Sequence, residues 1–197
     1  MTEPRSKARL VILISGRGSN MRSIVEAASK NELAVDIAAV ISNRPDAAGL
    51  EFAQQAGINT EVIDHKQFDS RERFDSAMAE AIDAYQPDFV ILAGFMRILT
   101  ADFVEHYSGR LLNIHPSLLP KFKGLHTHER AIEACETEHG ASVHFVTAEL
   151  DDGPVILQAR VPVLPDDDAD TLAARVLEQE HLLYPAAIQK LVSQQTE

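Results

Sequence analysis

The chain has 197 residues, 45% of them hydrophobic, which suffices for one sizeable core and is too short for two ordinary domains. A formal net charge of -12 speaks against nucleic acid as the main partner, because a protein that neutralises phosphates needs a basic face. The single Cys135 can make no internal disulfide and has no CxxC neighbour for a zinc site, so a reducing, cytoplasmic setting is expected.

Residues 1–9, MTEPRSKAR, are charged and polar and are expected to form a flexible tail ahead of one domain over residues 10–197. No apolar stretch of signal-peptide type follows them, and nowhere do about eighteen apolar residues run together, so no membrane segment is expected. Apolar runs rich in Val, Ile and Leu then alternate with helical patterns. Strands are expected at residues 10–15, 35–42, 60–64 and 89–94, with helices between them at 21–30, 47–55 and 70–85. Past Gly94 a short helix is expected at 101–107, a strand at 110–115, a Pro-rich bend HPSLLPKFKG, and a helix over 130–138. Strands ASVHFVTA and VILQARVPVL flank ELDDGP, and a closing helix over 170–192 follows the acidic cap DDDAD. Continuous apolar runs suit strands buried on both faces. The fold class is therefore α/β, a single-domain open, mostly parallel twisted sheet with helices on both faces.

SGRGSN, residues 15–20, follows the first strand and opens the first helix. Gly16 and Gly18 let backbone N–H groups approach a ligand, Ser19 adds a hydroxyl, and Asn20 can cap, which together suit a phosphate. The plainer alternative is that the glycines only make the turn. Dinucleotide binding is disfavoured: position 21 is Met where a third glycine would stand, and strand two ends in Ile41, Ser42, Asn43 and Arg44 with no ribose-binding acid. No Walker lysine is present either.

RLLNIHPSLLP is the most informative stretch. Asn113 and His115 are two apart on an apolar strand, so they share a face, and Pro116 ends the strand with both at its C-terminal edge. Open α/β sheets bind ligands there. The pair could be a satisfied structural hydrogen-bond pair. Against that stand the rigid bend that follows, Asp151 in front of a Gly-Pro turn, and chemical fit: an Asn donor, a His that gives or takes a proton, and an Asp that holds and charges it suit acyl transfer. No nucleophile is needed if an acceptor amine attacks directly. Ser117 lies nearby, but there is no GxSxG elbow. Eight histidines include HTH at 126–128. Without HExxH or Cys pairs no catalytic metal is expected, and most of these histidines are expected at the surface or behind the site.

Read together and in order, SGRGSN, AGFMRIL, LLNIHPSLLP, HGASVHFV, ELDDGPVILQ and QEHLLYP resemble the glycinamide ribonucleotide formyltransferases over residues 10–191. NIHPSLLP with LDxGP marks the wider formyltetrahydrofolate-using group, and SGxGSN narrows it. The resemblance implies a Rossmann-like formyltransferase fold, 10-formyltetrahydrofolate as co-substrate, no metal, and small-molecule substrates, with neither nucleic acid nor membrane as partner; it sets no oligomeric state. It implies that Gly18, Ser19 and Asn20 hold the ribonucleotide phosphate and that Glu180 binds the glycinamide end. Folate contacts would come from Met96, Arg97, Ile98 and Leu99 around the pterin, from Asn113, from Thr147, Ala148, Glu149, Leu150 and Asp151, and from Arg71 on the glutamate tail. Catalysis would fall to Asn113, His115 and Asp151. Four positions depart from the pattern or extend it: Ala148 stands where an Asp often sits, Leu177 replaces a polar residue one turn before Glu180, Asp152 adds a carboxylate beside Asp151, and Arg17 lies inside the turn. Three other functions compete. A deformylating hydrolase would carry an extra N-terminal domain, and methionyl-tRNA formyltransferase would carry a further C-terminal domain and a basic surface. In a non-enzymatic nucleotide-binding module the polar pair would be structural.

Overall fold

A computed structural model describes residues 7–195. Its elements run β1 (Ala8–Ile14), α1 (Ser19–Ser29), β2 (Val35–Ser42), α2 (Gly49–Gln55), β3 (Asn59–Val62), α3 (Arg71–Asp83), β4 (Phe89–Leu92), α4 (Ala101–His106), β5 (Leu111–His115), α5 (Thr127–Glu133), β6 (Glu138–Phe145), β7 (Val155–Pro162) and α6 (Ala169–Gln194). Of the expected tail, residues 1–6 lie outside the described residues, and β1 begins at Ala8.

The sheet has seven strands in the order β3-β2-β1-β4-β5-β6-β7. β3 to β5 pair in parallel, and β6 and β7 add antiparallel at one edge. Period-two alternation divides the strands between two cores. Leu10, Ile12 and Ile14 of β1, with Leu112 and Ile114 of β5, pack with Met21 and Ile24 of α1 and Val176, Tyr184 and Ile188 of α6. Val11, Leu13, Val90, Leu92 and Leu111 face Phe74 and Met78 of α3 and Phe103 of α4. Helices therefore cover both faces, as continuous apolar strands require.

Chain order reverses at β1, whose neighbours are β2 on one side and β4 on the other. A crevice opens at such a point, beyond the carboxyl ends of the strands. α6 is pinned beside it, because the buried Tyr184 hydroxyl donates to the Leu92 carbonyl at 2.8 Å, at the end of β4.

Two neighbouring elements depart from expectation: the helix after the Pro-rich bend, and the strand expected over 141–148, which is β6 at Glu138–Phe145. The helix expected over 130–138 spans Thr127–Glu133 instead. Cys135 takes a left-handed φ of 54°, which ends the helix, and residues 138–145 are extended because His139 pairs with Val161 and Gly140 with Arg160 on β7. Gly140 is needed there, since a Cβ would stand 1.9 Å from the Ala159 carbonyl oxygen.

Candidate active site

The turn after β1 comes first in the chain. Gly18 is the N-cap of α1 with φ 67° and ψ 38°, a left-handed conformation that glycine adopts without a Cβ penalty. No side chain caps this helix, so its first amides stay available to an anion. Asn20 is not the cap that was expected. It lies inside α1, and its Nδ2 donates across to Oε1 of the buried Glu180 on α6 at 3.3 Å. Burial pushes the Glu180 carboxyl up to about 7, and the Asn20 hydrogen bond works in the opposite direction. Asn20 Oδ1 is buried with no partner among the described residues.

A cavity of about 420 Å³ lies at this crevice, lined by residues 15–20, Asn43, Arg44, His65, Ala93, Gly94, Met96 and Arg97. In the loop after β4, Met96, which lines the cavity, and Ile98, which does not, are 75% and 71% exposed. Arg97 is half-buried with its guanidinium 5.3 Å from the Phe74 ring centre, one turn along from the exposed Arg71 at the start of α3. Leu99 packs against the core beside α3.

The strand register sets the next step. Leu13, Leu92, Asn113 and His144 are aligned across β1, β4, β5 and β6, so Asn113 stands two strand spacings, about 10 Å, from the row of β1 that runs into the glycine turn. Asn113 is half-buried, and its side-chain amide has no hydrogen-bond partner among the described residues. His115, two residues on and buried, points its Nδ1 at Asp151 Oδ2, 3.4 Å away, while its Nε2 lies 2.9 Å from the Phe122 carbonyl oxygen.

Asp151 is delivered by the loop between β6 and β7. Its backbone is left-handed at φ 50°, its side chain is 7% exposed, and Oδ2 also accepts from the Gly124 amide at 3.0 Å. Gly153 allows the loop to lie flat on β6, where a Cβ would stand 1.7 Å from the Phe145 carbonyl oxygen. Asp152 instead pairs with Lys123 at the surface, so of the two adjacent carboxylates only Asp151 faces His115. Thr147, Ala148, Glu149 and Leu150 form the exposed rim of the same loop. Ser117 is fully buried and donates to the Lys121 carbonyl at 2.6 Å, which makes it a pin of the Pro-rich bend. Among the described residues no group of three or more His, Cys, Asp or Glu could hold a metal ion.

An anion-ready helix start, a carboxylate buried on α6, an amide with no partner among the described residues at the end of β5 and a His-Asp pair two residues on thus lie around the carboxyl ends of the strands, although the cavity itself is lined by none of Glu180, Asn113, His115 or Asp151. The formyl transferase family profile matches residues 8–188. The chain belongs to the formyl transferase family. It is 58% identical over 179 residues to the phosphoribosylglycinamide formyltransferase of Escherichia coli, covering 91% of this chain and 84% of that one. The enzyme of the same name from Haemophilus influenzae is 44% identical over 91% of this chain and 85% of its own length. Among solved structures, phosphoribosylglycinamide formyltransferase from Coxiella burnetii in complex with CHES superposes with a TM-score of 0.91 at 53% identity, covering 95% of this chain and 88% of that one. Within the family, then, the chain stands with the phosphoribosylglycinamide formyltransferases, and it is a transferase.

Four further residues neighbour the site without having been singled out by their spacing. His144 stands opposite Asn113, is 2% exposed, and brings Nε2 within 3.7 Å of Asp151 Oδ1. Burial lowers its pKa, while its backbone hydrogen bond and Asp151 oppose that shift. Its signal was a His on an apolar strand, in the same pattern as His115. The Phe122 carbonyl gives no sequence signal at all, because any residue type supplies one. His128 and His139 meet at 3.1 Å behind the bend, with His139 1% exposed.

Proposed function

We propose that this protein transfers the formyl group of 10-formyltetrahydrofolate to the amino group of glycinamide ribonucleotide, a step of de novo purine synthesis. The observation that carries the mechanism is the buried His115–Asp151 pair beside an Asn113 amide that no described residue uses. In this reading Gly18, Ser19 and Asn20 hold the phosphate, and Glu180 receives the glycinamide end. The pterin lies along Met96, Arg97, Ile98 and Leu99 and against the rim from Thr147 to Asp151. Arg71 meets the glutamate tail.

The amine nitrogen attacks the formyl carbon, and the carbonyl oxygen becomes an oxyanion. Asn113 Nδ2 donates to that oxygen as its charge develops. His115 keeps Nδ1 on Asp151, and the Nε2 now aimed at the Phe122 carbonyl supplies the second donor once that carbonyl gives way. As the intermediate collapses, the bond from carbon to folate N10 breaks, and the proton lost by the amine ends on N10, with His115 and Asp151 as its carriers. No protein nucleophile takes part.

The test is to mix the protein with 10-formyltetrahydrofolate, with and without glycinamide ribonucleotide, and follow the formyl donor. Loss that depends on the ribonucleotide is expected. Loss without it would point to a hydrolase, and no loss in either case would leave a nucleotide-binding module.

A further inference from the structure

The cavity beside β1 holds both the glycine turn and the first residues of the loop proposed to carry the pterin, and one buried hydroxyl joins them. Ser15 is 4% exposed and immediately precedes the turn. Its Oγ donates to Asn43 Oδ1 at 2.6 Å and accepts from the Met96 amide at 2.8 Å, while its own amide donates to the Gly94 carbonyl at 3.2 Å. A hydroxyl has one proton, so donating it to Asn43 leaves a lone pair for the Met96 N–H, and rotation of the side chain would break both bonds. Asn43 is itself fixed, 2% exposed at the end of β2, with Nδ2 3.2 Å from His65 Nδ1.

The far end of the same loop is tied independently. Asp75, 3% exposed on α3, accepts from the Thr100 amide at 2.7 Å through Oδ2. Residues 96–100 are thus held at both ends by buried side chains, and of these two ties the Ser15 one connects to the phosphate turn.

We propose that Ser15 is a positioning residue that couples the two substrate sites: its hydroxyl passes the seating of a phosphate at residues 16–20 on to the Met96 backbone. The proposal rests on the substrate assignments above. Both bonds have the lengths of strong hydrogen bonds, which weaken as they are stretched or bent. A small shift of the turn as it closes on phosphate therefore re-aims the Met96 amide. Reciprocity follows, and folate binding must tighten the ribonucleotide by the same factor.

The experiment measures tetrahydrofolate binding by calorimetry, with and without saturating glycinamide ribonucleotide. The wild-type ratio of the two dissociation constants is expected to reach about fivefold or more, the usual floor for a coupled pair of sites. Ser15→Ala brings it to within about twofold of one, with ribonucleotide affinity measured alone little changed. Asp75→Ala weakens tetrahydrofolate but keeps the wild-type ratio, because it loosens the end of the loop that does not touch the turn. If Ser15→Ala does not fold, Asn43→Ala, which removes the acceptor that aims the hydroxyl, gives the same loss. A wild-type ratio of one, an unchanged ratio in the Ser15 and Asn43 variants, or an equal loss in Asp75→Ala overturns the proposal. Failure of the wild-type protein to bind the ribonucleotide or to transfer formyl would instead overturn the substrate assignment.

Discussion

Asn113 and Glu180 stand in different layers of the fold, one on β5 and one on α6, and each is held in a state that invites a ligand. The Asn113 amide is unbonded among the described residues, and an oxyanion donor of this kind is worth about 3 kcal/mol, or roughly a hundredfold in rate. Asn113→Ala should therefore lower single-turnover formyl transfer at saturating substrates by about that factor, a larger loss than any weakening of the folate contact expected of the same side chain. Unaltered turnover would remove Asn113 from the chemistry. Glu180 offers a test without substrate. Its folded pKa of about 7 lies above the ordinary 4.5, so between those values the folded state holds a proton that the unfolded state has lost. Stability from this group is full below pH 4.5 and declines as pH rises through about 7, by roughly 3 kcal/mol at most. Glu180→Gln should accordingly raise the melting temperature of the free protein at about pH 8 and leave it little changed near pH 5. Equal melting temperatures at both would show that the carboxylate is not desolvated in solution. Spacing made Asn113 and His115 legible as a pair, because residues two apart on a strand share a face. The Asn20–Glu180 contact was not legible, since the two are 160 residues apart and meet only when α1 and α6 pack together.

Elements place these side chains through register. β4 and β5 pair Leu92 with Asn113, and β5 and β6 pair Asn113 with His144, so the row of functional groups follows from strand alignment without any special loop. The buried strands were readable from their apolar runs, and β2 has the bounds expected from sequence. The helix after the Pro-rich bend was not, because its pattern says nothing of the antiparallel partner that draws residues 138–145 into β6. Over this region the bend closes on His115 through the Phe122 carbonyl and on Asp151 through the Gly124 amide. Behind it His128 Nδ1 meets His139 Nε2 at 3.1 Å. Burial pushes His139 down to about 4 and lowers His128; the charges facing them are His115, which adds to the lowering, and Glu136 and Glu129, which oppose it. The unfolded chain therefore takes up protons at these imidazoles before the fold does as pH falls. The contribution is full above about pH 6.5 and is lost progressively toward about 4. Hydrogen exchange across residues 117–137 should therefore quicken between pH 7 and 4 more than it does in β1 and β4, once corrected for the intrinsic pH dependence of exchange. Parallel behaviour of bend and core would mean that this histidine pair does not hold the bend.

At the scale of the whole molecule, a chain of net charge -12 is proposed to take anionic substrates. The opposing charge is local. Arg17, Arg44 and Arg97 line the cavity around the glycine turn, Arg71 stands at the start of α3, and the first amides of α1 add partial positive charge without any side chain. Distance decides which field an approaching phosphate feels. At 0.01 M salt the screening length is about 30 Å, so the negative charge of the entire molecule repels the substrate; at 0.1 M it is about 10 Å, and the far charges are screened while the cavity still acts. Above that, screening reaches the arginines as well. The kcat/KM for glycinamide ribonucleotide should therefore rise between about 0.01 and 0.1 M salt and fall toward 1 M, where the screening length is about 3 Å. Arg17→Ala should flatten the falling limb and leave the rising one, because it removes a local charge and changes the far field little. It also leaves the partner of Asp46 in place, since that carboxylate is paired with Arg44. A monotonic decline from the lowest salt, in the wild-type protein, would show that the cavity charge outweighs the net charge at every distance, and the local attraction would then be stronger than the backbone turn and these side chains supply.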